Sequence, residues 1–140
     1  MNREELKAIL PHREPMLLLD EAFVAEDGSA RARCAIKGDE WFLQGHYPDE
    51  PVVPGVILCE MMGQTCGVLL GEQATDGLTP FFTGLDKVKF RRPVRPGDVL
   101  ETECRIVRTK GPFYFAEGTG KVDGQLAVSA NFSFALVEAK

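Results

Sequence analysis

A chain of 140 residues, 44% of them hydrophobic, holds enough apolar material for one domain with a real core, expected to span 1–140, and too little for two. Its formal net charge of −5 argues against general nucleic-acid binding, which leaves a basic footprint. The N-terminus MNREELKAIL is charged and amphipathic with no long apolar stretch behind it, so neither a secretory signal nor an anchor is expected and a soluble cytoplasmic protein follows.

In chain order, residues 2–9 have the pattern of a short helix, closed by Leu10 and Pro11. The segment LPHREPMLLLD then leads into an expected first strand from Met16 to Val24, with His12 and Arg13 at the junction and His12 read as structural. After a turn at Gly28, Ala30, Ala32, Cys34 and Ile36 alternate with Arg31, Arg33, Ala35 and Lys37, the period of a half-buried strand. His46 falls in a loop, because Pro48, Pro51, Pro54 and Gly55 stop regular structure before Val56.

From Gly55 onward a helix is expected for about four turns, apolar on nearly every side and so buried. Glu60 is the exception: a carboxylate there is costly unless paired, hydrogen-bonded or protonated. Gln64, four residues on, shares its face and can hold the carboxyl in one orientation. Cys59, Gly63 and Gly67 form a small-residue stripe that suggests a second backbone pressed close. The apolar run is about 15 residues long and begins near Glu60, whereas a bilayer needs roughly 20, so a membrane span is rejected.

A polar link after Gly71 leads to an antiparallel meander. Strands are expected over Phe81–Arg92, from Leu100 to Ile106, over Phe113–Val122 and along Leu126–Leu136, separated by Pro96-Gly97-Asp98, Lys110-Gly111-Pro112 and the hairpin pair Asp123-Gly124. The four cysteines, at 34, 59, 66 and 104, match no zinc spacing and read as small core residues, so neither metal nor cofactor is expected. The outline is an α+β domain whose curled sheet covers one helix. An edge and apolar surface left over imply self-association into at least a dimer.

Three blocks of this chain resemble the β-hydroxyacyl-acyl carrier protein dehydratases of type II fatty acid synthesis (FabZ type), members of the hot-dog fold. They are LPHREPMLLLD at 10–20, QGHYPDEPVVPGVILCEMMGQ at 44–64 and GLDKVKFRRPVRPGD at 84–98. The middle block is the specific one: the family reads GHFP, a variable pair, PVxPG, and a helix with Glu fourteen residues after the His, positions held here by His46 and Glu60. Tyr47 stands where Phe is usual, and Asp49-Glu50 replace a pair that is commonly Gly plus a polar residue. The resemblance implies an antiparallel sheet wrapped around a long central helix, an acyl tunnel, and an active site at a dimer interface with His from one subunit and Glu from the other. It also implies a homodimer, often a trimer of dimers, that acts on a 3-hydroxyacyl chain carried by the phosphopantetheine arm of acyl carrier protein. Related isomerising dehydratases carry Asp at the helix position, so Glu60 favours dehydration without isomerisation.

Removing water from a 3-hydroxyacyl thioester needs a base for the C2 proton, an acid for the C3 hydroxyl and a donor for charge on the thioester oxygen. His46 is the candidate base, Glu60 the candidate acid with Gln64 supporting it, and the backbone N–H of Gly55, at a helix N-terminus, the candidate oxyanion donor. The basic run Lys87, Lys89, Arg91, Arg92, Arg95 reads either as a solvated strand face or as the surface that receives the acidic carrier protein, with Arg91, Arg92 and Arg95 its densest part. A thioesterase on the same fold and a non-catalytic acyl-thioester binder are the alternative functions.

Overall fold

The computed structural model describes residues 1–73 and 78–138. Its elements are helix α1 (Arg3–Leu6), strands β1 (Glu21–Val24) and β2 (Ala30–Ala35), helix α2 (Gly55–Gln73), and strands β3 (Leu78–Phe90), β4 (Val99–Lys110), β5 (Phe113–Val122) and β6 (Gln125–Glu138). A single 3-10 turn at Trp41–Leu43 interrupts the long connection before α2. The strands form one six-stranded antiparallel sheet in the order β1-β2-β4-β5-β6-β3. This is the architecture expected from the sequence, one sheet wrapped around one helix.

α2 is 19 residues long, and every residue from Met61 to Leu70 is buried. A helix apolar on all sides has no face to offer water, so the sheet must curl around it. Two register shifts between β3 and β6, at Phe82/Gly84 and Asp86/Lys89, bend the long strands as bulges do. The inner faces of β2, β4, β5 and β6 bring Cys34, Leu100, Cys104, Ala116, Val128 and Phe132 onto the helix. All four cysteines are free and buried, as their reading as core residues requires. A polar link between the helix and β4 lies in this core: Thr65 Oγ1 is 2.7 Å from Thr102 Oγ1.

Local signals account for most boundaries. Asp123 and Gly124 both have positive φ (51° and 77°), the two-residue hairpin geometry their types favour. Of the face expected along the last strand, Leu126, Val128, Ala130, Phe132, Phe134 and Leu136, all but the half-buried Leu126 are buried, and Ala127 and Ala135 on the other face are buried too. The first strand, by contrast, starts at Glu21, five residues later than its composition suggests. Met16–Asp20 is irregular because other groups satisfy its backbone: Met16 and Leu17 donate to the Arg13 carbonyl, the Leu17 carbonyl accepts from Arg3, and Leu18 donates to the Gln64 side chain. Of the polar link expected after Gly71, residues 74–77 lie outside the described residues.

The small-residue stripe also has a different partner from the one expected. A Cβ on Gly63 would meet the Phe82 ring and one on Gly67 the Leu10 side chain, so side chains rather than a backbone fill those notches. The close backbone approach comes one turn later, where a Cβ on Gly71 would stand 2.4 Å from the carbonyl oxygen of Ile9. Gly71→Ala is therefore expected to destabilise the fold by about 1–3 kcal/mol, overpacking outweighing the helix-propensity gain of about 1 kcal/mol. Urea unfolding at matched pH measures this; a variant as stable as the parent would refute the contact.

Candidate active site

Glu60 sits in the second turn of α2, its side chain 22% exposed, and lines a cavity of about 170 Å³. Phe82 of β3 and Phe134 of β6 wall this cavity, with their rings stacked at 4.9 Å. The Gln64 amide donates to Glu60 Oε2 over 3.3 Å, the orientation expected from the i,i+4 spacing. Gln64 is itself gripped: its Nε2 donates to the Met16 carbonyl at 2.6 Å, and its Oε1 accepts from the Leu18 N–H at 2.9 Å. Burial raises the Glu60 carboxyl above its ordinary range, and the Gln64 donor only partly opposes this. The carboxyl therefore keeps its proton to higher pH than a surface glutamate.

His46 stands on the loop ahead of α2 and does not line that cavity. Its Nδ1 lies 2.9 Å from the Val52 carbonyl oxygen. A carbonyl only accepts, so Nδ1 carries a hydrogen, and in the neutral ring the lone pair is on Nε2. Tyr47, with φ of 57°, stacks its ring on the imidazole at 4.2 Å. Glu50, one of the two carboxylates near His46 in sequence, turns instead to Arg95 at 2.9 Å. The single chain thus brings Glu60 and Gln64 together and leaves His46 apart from them.

The N–H of Gly55 opens α2 and has no acceptor among the described residues. A Cβ there would meet the Phe90 ring at 2.7 Å, so a larger residue would have to displace that exposed side chain. Arg91, Arg92 and Arg95 follow β3 on the surface: Arg92 bonds the Gln125 side chain, Arg95 is taken up by Glu50, and Arg91 is exposed. His12, read from the sequence as a structural residue, comes to the same place as Glu60. Its Nε2 lies 3.8 Å from Glu60 Oε2 and its ring lines the same cavity. The available signal was its position inside the LPHREPMLLLD block, but a histidine beside a proline has no local periodicity that names its partner.

Comparison with known proteins bears on this arrangement. A family model described as a FabA-like domain matches residues 10–131. The chain is 42% identical over 137 residues to the 3-hydroxyacyl-[acyl-carrier-protein] dehydratase FabZ of Clostridium perfringens, an alignment that covers 97% of this chain and 99% of that one. Among solved structures it resembles the dehydratase heterocomplex ApeI:P from Xenorhabdus doucetiae, with a TM-score of 0.81 and 22% identity over 95% of this chain and 91% of that one. A putative thioesterase from Ralstonia eutropha superposes with a TM-score of 0.67 and 22% identity over 84% and 83% of the two chains. At such identities the structural likeness speaks for the fold, the hot-dog fold, which dehydratases and thioesterases share.

The state of Glu60 has a consequence for stability. Its folded value is raised, so the folded chain holds this proton more tightly than the unfolded chain. The cost of the buried charge is absent below the unfolded value of about 4.3 and grows as pH rises through the raised folded one. Glu60→Gln is therefore expected to be nearly neutral for stability at about pH 4 and stabilising at neutral pH. Thermal unfolding of both proteins across that range checks it: an advantage that does not grow with pH would remove the argument for a proton held by burial.

Proposed function

This chain belongs to the FabA-like family, and we propose on that premise how it converts a (3R)-3-hydroxyacyl-[acyl-carrier-protein] into the trans-2-enoyl thioester and water in type II fatty acid synthesis. His46 Nε2, bare because Nδ1–H is spent on the Val52 carbonyl, takes the C2 proton. Charge then gathers on the thioester oxygen, where the Gly55 N–H and the positive end of α2 meet it. The C2–H electron pair forms the C2–C3 double bond, the C3–O bond breaks, and Glu60 supplies the proton that turns the departing hydroxide into water. Bulk solvent restores both groups by removing one proton from His46 and returning one to Glu60.

The observation that carries this reading is Glu60: a carboxyl whose proton burial holds to higher pH than a surface glutamate's, that an amide orients, and that lines an aromatic-walled cavity. A non-catalytic binder has no use for an acid at that cost. The separation of His46 from Glu60 within one chain supports a site completed by two chains, in which His46 of one protomer meets Glu60 of its partner. Proteins of this fold are oligomers, and β3 offers an edge for pairing: it lies at one side of the sheet and exposes Phe81, Phe82, Leu85 and Phe90. A homodimer, assembled further into a trimer of dimers, working in the cytoplasm on acyl carrier protein, is the proposed form.

His46→Ala and Glu60→Gln are each expected to slow dehydration by at least about a hundredfold while the fold survives. Exchanging the two inactive variants tests the shared site: random pairing leaves one intact site in each mixed dimer, so about a quarter of the parental activity is expected to return. No recovery despite proven exchange would mean that both groups act within one chain.

Arg91, Arg92 and Arg95 are proposed to receive the carrier protein, being the densest cationic stretch on a net acidic chain. Alanine at all three is expected to raise KM for the protein-borne substrate several-fold, and much less for a short pantetheine thioester that uses the same chemistry. Added salt is expected to narrow the gap between parent and variant. Equal losses on both substrates would assign the arginines a structural role instead.

A further inference from the structure

Glu60 has two carboxyl oxygens, and the chain treats them differently. Both polar side chains that face the carboxyl point to the same atom: Gln64 Nε2 donates to Oε2 at 3.3 Å, and His12 Nε2 approaches Oε2 at 3.8 Å. The rest of the cavity lining, Gly63, Gly67, Pro80, Phe81, Phe82 and Phe134, brings no titratable group. The Arg13 guanidinium is turned away, onto the carbonyls of Lys7, Leu10 and His12.

The tautomer of His12 follows from its surroundings. Nδ1 is buried and has no partner among the described residues. Burial, assisted by the charge of Arg13, lowers the pKa of the ring, so it carries one hydrogen at neutral pH. With that hydrogen on Nδ1 a buried N–H would be orphaned, the costlier of the two errors; on Nε2 it points at Glu60. The 3.8 Å separation is a polar contact rather than a hydrogen bond, and such contacts in unliganded sites tighten when substrate closes them.

We propose that His12 is a positioning residue which, together with Gln64, claims Oε2 of Glu60 as an acceptor and so confines the transferable proton to Oε1, the oxygen that addresses the substrate hydroxyl. This rests on the reading of Glu60 as the acid. An acid whose proton were shared between both oxygens would present it to the substrate only part of the time; two donors on one oxygen remove that ambiguity. The device is built by folding, because the same Gln64 amide that donates to Oε2 holds Met16 and Leu18, the segment that carries His12 over the carboxyl.

The test uses the parent protein and two variants. In the parent, 15N shifts of the imidazole are expected to report hydrogen on Nε2 of His12; hydrogen on Nδ1 would overturn the proposal without any variant. His12→Leu removes the donor, and is expected to lower kcat about tenfold with KM nearly unchanged and to move the 13C titration of the Glu60 carboxyl to higher pH. His12→Gln, whose amide reaches the place of Nε2, is expected to restore most of the rate and return the titration toward the parental position. If Gln fares no better than Leu, or if neither the rate nor the titration responds to Leu, His12 is packing only. Failure of the parent to turn over a 3-hydroxyacyl thioester would instead defeat the acid role itself, whereas the tautomer and the titration are read without turnover.

Discussion

The arrangement of this protein turns on one buried amide. Gln64 is 1% exposed, and its side chain closes hydrogen bonds to Met16, Leu18 and Glu60. A buried amide left unpaired costs about 1–3 kcal/mol per group, so once α2 is inside the sheet these bonds are close to obligatory. They dock the segment before β1 against the helix, and they orient Glu60 in the second turn of α2. Fold and candidate site are joined at that point, because the side chain that satisfies the backbone of residues 16–18 also holds the proposed acid.

The second constraint is the helix itself. α2 is apolar all round, and a sheet that wraps it must be long, curled and bulged, which leaves β3 as an exposed edge. The opposite edge is managed differently: β1 is four residues long and is capped by the N-terminal segment, where Asn2 bridges Glu21 and the Met1 ammonium donates to the Ala22 carbonyl. One side of the sheet is thus covered by residues 1 and 2, and the other exposes Phe81, Phe82 and Phe90. That asymmetry is the physical ground for proposing that β3 and its neighbourhood, rather than β1, face a second copy.

Charge is used sparingly at the site and freely outside it. On the outer face of β1, β2 and β4, Arg33 pairs with Glu21, and Arg31 and Arg105 with Asp27, all in exposed positions where each pair contributes little stability. Around Glu60 the neighbours are an amide, a neutral imidazole and aromatic rings. An ion pair there would hold the carboxyl ionised and take away the proton that the proposed chemistry spends. The polar but uncharged surroundings are what an acid working near neutral pH requires.

Much of this was legible in the residues alone. The proline-rich loop and the apolar run after Gly55 located α2; alternation located β2 and β6; Asp123-Gly124 located the last hairpin; and the i,i+4 spacing placed Gln64 beside Glu60. These are short-range properties, governed by backbone sterics and by the periods of 3.6 and 2. What the tertiary structure decided are contacts between residues far apart in the chain: Gln64 with Leu18 across 46 positions, His12 with Glu60, and Gly71 with Ile9. The sequence led to a strand over Met16–Asp20 because apolar residues there have strand character, and only the fold supplied the side chains that satisfy its backbone another way. Likewise the tautomer of His46 depends on the Val52 carbonyl, whose direction is set by how the loop closes onto α2. Local pattern records which face of an element is apolar; which distant group arrives to meet that face is determined by packing, and no periodicity encodes it.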